Sequence, residues 1–310
     1  MKRKFPCRLM LLVPALLAVA VSCMDYDRPE SEEFTPVGRG VFIVNEGNFM
    51  AGTATLSHYD PASRQVENEV FFRANSMKLG DVAQTMAIRG GRGYIAVNNS
   101  GVIFVIDIET FQVLGLIRGV TSPRYIHFLS DEKAYVTDLY LPRITVFNPL
   151  TCEVIGTIDT RGHTSTEQMA QQGKYVFTNC WSYDDQILVI DSERDEVVDS
   201  IAVGIQPTAL TLDRHGKLWV LTDGGFDGSP FGSEAPALYR IDAESRRIEK
   251  RFTFPEGDHP SELCLNGAAD TLYFLNRSLY RMAVTDERLP VRPFVEEAGT
   301  IYFGLGVDPL

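Results

Sequence analysis

Between Val41 and Phe303 the chain is built from short runs of β-branched, aliphatic and aromatic residues, broken by clusters of Gly, Pro, Asn, Asp and Ser. Such runs, with turn formers between them, predict strands and tight turns rather than helices. The pattern is clearest in one stretch. Pro123 to Leu129 predicts a first strand, Ala134 to Thr137 a second, Ile144 to Phe147 a third and Glu153 to Ile158 a fourth. Ser130-Asp131-Glu132 and Asn148-Pro149 supply turns between them.

One phrase in the second strand returns six times: an aromatic residue, then aliphatic or β-branched ones, then Asn or Asp three or four positions on. The copies are Phe42 to Asn45, Tyr94 to Asn98, Tyr135 to Asp138, Tyr175 to Asn179, Trp219 to Asp223 and Tyr273 to Asn276. Their Asx residues stand 53, 40, 41, 44 and 53 positions apart. A four-strand unit with that period is the signature of propeller blades. Third strands end alike, at Asp60, Asp107, Asn148, Asp191 and Asp242, where the side chain can cap a tight turn; the sixth copy has Ala283 instead. Pro123, Pro207 and Pro260 open first strands, where a missing N–H costs little. The first unit begins at its second strand, Val41-Phe42-Ile43-Val44, while Ile301 to Pro309 matches another first strand with its turn. The expected architecture is all-β: a seven-bladed β-propeller over residues 40–310, with six blades and the first strand of the seventh present. That count favours a truncated chain over a ring left open with exposed edges.

The N-terminal segment stands apart from the repeats. Lys2, Arg3, Lys4 and Arg8 precede an apolar stretch from Leu9 to Val21, which reads as a signal peptide over residues 1–22. Ala20-Val21-Ser22-Cys23 resembles a bacterial lipobox, with Ala20 where Leu or Val is usual, and makes Cys23 the lipidation site. A plain signal peptide with an incidental Cys is the alternative. Residues 23–39 read as a lipidated flexible tether, polar and acidic from Asp25 to Glu33. Acidic residues there resemble the surface-export signal of Bacteroidetes lipoproteins, although a solvated linker has the same composition. The expected location is the outer membrane, lipid-anchored and exposed at the cell surface, with membrane contact through the anchor alone.

Composition narrows the partners. The chain has 310 residues, 45% hydrophobic and 23% charged, enough for a large core. Its net charge of −12 becomes −16 when the four basic residues of the signal segment are removed. That surface argues against nucleic acid and leaves neutral or cationic ligands. Cys152, Cys180 and Cys264 are odd in number and lie in separate repeats, so they predict small buried residues and no disulfide framework.

In this strand order, loops after second and fourth strands emerge on one face. That face gathers Asn45, Asn48, Asn98, Asp138, Tyr140, Asn179, Trp181, Tyr183, Asp223, Phe226, Asn276 and Arg277. Loops between blades add Arg124, His163, Gln206 and His259. Aromatics interleaved with amides suit a flat, polar-rimmed ligand, though each Asx can equally do no more than end its strand. The longest insertion, Asp223 to Pro236, is Gly-rich and carries Phe226 and Phe231; it reads equally as a rim loop or a ligand clamp. The five His show no metal-ligand spacing, and no Gly-x-Ser-x-Gly elbow is present. Asp184 and Asp185 are adjacent, so at most one points into a site. The expectation is a binding protein with no catalytic residue, metal ligand or resident cofactor. A metal held by ring-lining Glu, Asn and Asp stays open.

The blades resemble the YVTN or YncE-like propeller family, most closely at Tyr135-Val136-Thr137-Asp138 and Val176-Phe177-Thr178-Asn179. The opening, Phe42-Ile43-Val44-Asn45-Glu46-Gly47-Asn48-Phe49 followed by Leu56-Ser57-His58-Tyr59-Asp60-Pro61, is similar to the Bacteroidetes lipoprotein branch of that family. This branch includes surface cobalamin-binding propellers that serve outer-membrane vitamin B12 receptors. The resemblance covers residues 40–310. It implies a surface-tethered lipoprotein that binds cobalamin or a related corrinoid as transported ligand and delivers it to a TonB-dependent outer-membrane transporter. A non-catalytic interaction scaffold and an extracytoplasmic metal-dependent hydrolase are the alternatives. His215 falls in a turn on the opposite face, so Trp181→Ala is expected to weaken binding more than His215→Ala.

Overall fold

The computed structural model describes residues 40–299 and 301–308. The signal segment, Cys23 and the tether to residue 39 lie outside the described residues. The rest is a β-propeller of antiparallel blades. Blade 1 holds β1 (Val41–Asn45), β2 (Thr55–Asp60) and β3 (Gln65–Glu67), followed by a short helix, α1 (Val70–Asn75). Blade 2 holds β4 (Ala83–Arg89), β5 (Arg92–Val97), β6 (Val102–Asp107) and β7 (Val113–Ile117). Blade 3 holds β8 (Pro123–Phe128), β9 (Ala134–Asp138), β10 (Arg143–Asn148) and β11 (Glu153–Asp159). Blade 4 holds β12 (Thr166–Gln172), β13 (Tyr175–Cys180), β14 (Gln186–Asp191) and β15 (Glu196–Ala202). Blade 5 holds β16 (Pro207–Leu212), β17 (Lys217–Thr222), β18 (Ala237–Asp242) and β19 (Arg247–Thr253). Blade 6 holds β20 (Ser261–Leu265), β21 (Thr271–Asn276) and β22 (Ser278–Ala283), with a single bridge from Leu279 to Val295 in the fourth-strand position.

The innermost strands β4, β8, β12, β16 and β20 lie side by side around the axis. Second strands are the most buried: Tyr94 to Val97, Tyr135 to Asp138 and Leu218 to Thr222 are all covered. Their alternate side chains enter the seams on either side, so the core is a series of inter-blade clusters. Phe177, Val189 and Ile241 join blades 4 and 5, for example, and Tyr135, Val176 and Ile190 join blades 3 and 4. Blade 1 lacks an innermost strand among the described residues, as its sequence predicts, and Val41 and Ile43 of β1 are correspondingly exposed.

Third-strand Asx residues cap the turns that follow. Asp60 accepts the N–H groups of Ala62 and Ser63, Asp107 those of Glu109 and Thr110, and Asn148 those of Leu150 and Thr151. In blade 6, where Ala283 replaces the Asx, Asp286 accepts the Ala283 N–H from the far side of the turn at 2.8 Å.

The blade count corrects the sequence expectation. Among the described residues there are six blades, not seven, and residues 301–308 form no strand. Their apolar pattern matches a first strand, but a strand exists only through a ladder. Instead of a ladder, the Cys264 thiol donates to the Leu305 carbonyl oxygen and the Tyr302 hydroxyl to the Glu296 carbonyl oxygen.

Candidate binding face

The ends of second strands and the starts of first strands meet at one end of the propeller. Pro123 pairs with Asp138, Thr166 with Cys180, Pro207 with Thr222 and Ser261 with Leu275. The six Asx residues therefore share a level, as the repeat implies. Their side chains are largely engaged within the protein. Asp138 is buried and accepts three backbone N–H groups, from Tyr140, Leu141 and Ser122, each at 2.9 Å. Asn179 is buried and donates to the Pro207 carbonyl in the next blade at 2.6 Å. Asn45 donates to Thr55 and Ser57, and Asn276 to Asp258. Asn98 is buried at the start of a one-turn 3-10 helix, Asn98–Ser100. Asp223 accepts the Gly225 N–H at 2.8 Å and the Gln206 amide, with Trp181 as a further donor; burial nevertheless raises its carboxyl above the usual range.

The residues that follow these Asx point outward. Tyr140 and Arg277 are exposed, as is Asn48, which is flanked by exposed Phe49 and Met50. Tyr183 stacks on Phe231 with ring centroids 4.8 Å apart and meets Phe226 edge-on at 6.3 Å. All three rings are about half exposed. Trp181, by contrast, is half-buried, and its indole is turned toward Asp223. Tyr183, Asp184, Asp185, Ile205 and Phe231 line a cleft of about 300 Å³.

The 224–236 insertion that carries two of these rings is an ordered arch. Gly224 donates to the Ile205 carbonyl, Glu234 N–H to the Gly224 carbonyl, and the Glu234 carboxylate accepts the Ile205 N–H at 2.8 Å. Arg251 pairs with the same carboxylate at 2.9 Å. Gly224 has φ +80°, and a Cβ there would lie 2.1 Å from the Glu234 carbonyl oxygen, so only glycine closes the arch.

Toward the axis, five innermost strands carry a β-bulge at one height. Pairing skips at Gln84, at Arg124-Tyr125, at Glu167-Gln168, at Thr208 and at Glu262. A bulge re-aims a side chain out of the ladder. Arg124 uses this to reach both neighbouring blades. Its Nε donates to Glu167 at 2.8 and 3.0 Å, and its terminal nitrogen donates to the Gln84 side-chain Oε1. Burial pushes the Glu167 carboxyl up to about 7 against the pull of Arg124, with Glu46 adding to the rise. Glu262 is raised by burial and again by Glu46, so the Glu46 charge acts on both Glu167 and Glu262.

Of these, sequence reasoning singled out Arg124 and missed Gln84, Glu167 and Glu262. The missed signal is a polar residue directly after the first residue of each inner strand: Ala83-Gln84, Pro123-Arg124, Thr166-Glu167, Pro207-Thr208 and Ser261-Glu262. His163 was placed on this face, and it lies 2.7 Å from Asp184.

A family model described as "Domain of unknown function (DUF5074)" matches residues 39–307. No curated protein matches the chain. Among solved structures, the chain is similar to the hydrazine synthase of Kuenenia stuttgartiensis at 15% identity, covering 74% of this chain and 70% of that one, with a TM-score of 0.62. A chain of the mitotic checkpoint complex matches at 13% identity over 74% of this chain and 70% of its own, with a TM-score of 0.60. The computationally designed Ika8 protein matches at 11% identity over 82% and 74%, with a TM-score of 0.56. At these identities the likeness concerns the fold alone. The match across 39–307, on a six-bladed β-propeller, makes the chain a member of the DUF5074 family.

Proposed function

We propose that this propeller is a surface-tethered lipoprotein of the YncE-like branch found in Bacteroidetes, anchored through Cys23. In this reading it binds cobalamin or a related corrinoid and hands it to a TonB-dependent outer-membrane transporter, with no chemistry of its own. The observation that carries the reading is the half-exposed trio Tyr183, Phe226 and Phe231, set beside a cleft and on an ordered arch. A corrin ring offers a broad apolar face rimmed by amides. Aromatic rings supply area to such a ligand, and a few polar groups, here Asp185, Asn48 and Arg277, orient it. The acidic surface is compatible with a neutral ligand and unfavourable to polyanions.

The test is a calorimetric titration with cyanocobalamin of the wild type and three variants. Tyr183→Ala and Trp181→Ala should weaken binding by about 1–3 kcal/mol each, the cost of losing a well-placed aromatic contact. His215→Ala, on the opposite face, should leave it unchanged. Equal effects of all three would place the ligand elsewhere.

A further inference from the structure

We propose that His163, Cys180 and Asp184 form a binding site for a divalent transition metal of the zinc class, at the end of the seam between blades 3 and 4. One ligand atom from each lies within 4.8 Å of those of the other two. The three come from separate segments: the β11–β12 loop, the last residue of β13 and the β13–β14 loop. An imidazole nitrogen, a thiol sulfur and a carboxylate oxygen are the donors that zinc combines in four-coordinate sites, with the fourth position left to water or a ligand. Magnesium and calcium, which take oxygen donors, do not suit this set.

The supports are already built. Asp184 accepts the N–H groups of Asp185 and Gln186 on Oδ1, at 2.8 and 3.1 Å, which turns Oδ2 toward His163 Nδ1. His163 is tied to Thr160 through its own N–H and carbonyl. Cys180 is fixed by its pairing with Thr166 and belongs to the core cluster between blades 3 and 4. His163 and Asp184 remain partly open to solvent, and Asp184 also borders the cleft beside Tyr183.

The same trio does not suit nucleophilic catalysis. Burial, with Asp184 and Asp185 adding, drives the Cys180 thiol far up, so it is not the thiolate such chemistry needs. A bound metal reverses this by deprotonating the thiol outright. Metal binding therefore releases the thiol proton.

The proposal is tested on the whole protein, stripped with a chelator, dialysed and titrated with Co²⁺ in the absence of corrinoid, so that its result is independent of the ligand proposed above. One equivalent should bind, with a sulfur-to-cobalt charge-transfer band in the near ultraviolet that Zn²⁺ abolishes. Cys180→Ser should lose the band. His163→Gln, at a partly exposed position that the fold tolerates, should weaken binding by more than about tenfold. His215→Gln should bind as the wild type does. Cobalt binding without the band, or wild-type affinity in His163→Gln, would overturn the proposal.

Discussion

Arg64, Phe111, Cys152, Asp195 and Arg246 stand at one position in five blades, four residues after the Asx that ends a third strand. Each has φ between 56° and 63°. Each also donates its N–H to the carbonyl of that Asx, which closes the turn. A side chain in this left-handed region is costly, and glycine removes the cost. Phe111 and Arg246 have compensating contacts, Phe111 edge-on to Phe42 and Arg246 over the Tyr175 ring at 4.8 Å. Arg64 is exposed. Arg64→Gly should raise stability by about 1 kcal/mol, measured by chemical denaturation. A loss would mean that the Arg64 side chain contributes more than its backbone costs. Glu167 makes a second test at this scale. Its carboxyl titrates near 7 in the folded protein and near the ordinary glutamate value of about 4.3 when unfolded. Between those values the folded state holds the extra proton, so stability falls as pH rises from about 4.5 to about 7 and then levels. Glu167→Gln should flatten that fall when denaturation at about pH 5 is compared with about pH 8. Equal falls in both proteins would rule out Glu167 as its source.

In four of the six copies the aromatic that opens the repeated phrase has a consistent use at the level of strands, whereas Trp219 donates its indole N–H to Asp213 of its own blade. Tyr94 donates its hydroxyl to the Pro149 carbonyl in the third-to-fourth turn of the next blade, at 3.0 Å, and Tyr135 donates to Asp195 in the corresponding turn. Phe42 meets Phe111, and Tyr175 lies under Arg246, in the same relation. The phrase thus links blades at its aromatic end and fixes loops at its Asx end. This explains why the repeat was legible in the sequence, whereas Tyr183, Phe226 and Phe231 were legible only as candidates and their mutual stacking was not. Asp138 and Asn179 recur because the ladder needs them, and both are buried. Tyr183 and Phe231 occupy loops that obey no period, and their stacking depends on an arch whose closure is written only in Gly224. Helix α1 was also illegible, because one and a half turns carry no periodicity to read. Gly224→Ala should cost about 1–3 kcal/mol through strain at φ +80°. It should also make the 225–235 segment the first site of limited proteolysis, and unchanged resistance there would show that the arch closes without glycine.

Over the whole molecule, the sequence carried the blade order, the incomplete first blade and the shared level of the Asx residues. It over-counted by one blade, because an apolar run looks like a strand whether or not a partner exists to pair with it. It also missed Glu46, Glu167 and Glu262 as electrostatic neighbours, since Glu167 and Glu262 sit at bulges in different blades and Glu46 in a loop, a relation that no spacing within one blade reveals. The resulting picture is a propeller with acidic groups toward its axis and an aromatic patch on one side of its loop-bearing face. The most direct measurement of its proposed role is a titration of the purified protein with cyanocobalamin, followed by absorbance and calorimetry at micromolar protein. A saturable response at one corrinoid per chain is the predicted result. Absence of any spectral or thermal response under those conditions would contradict it.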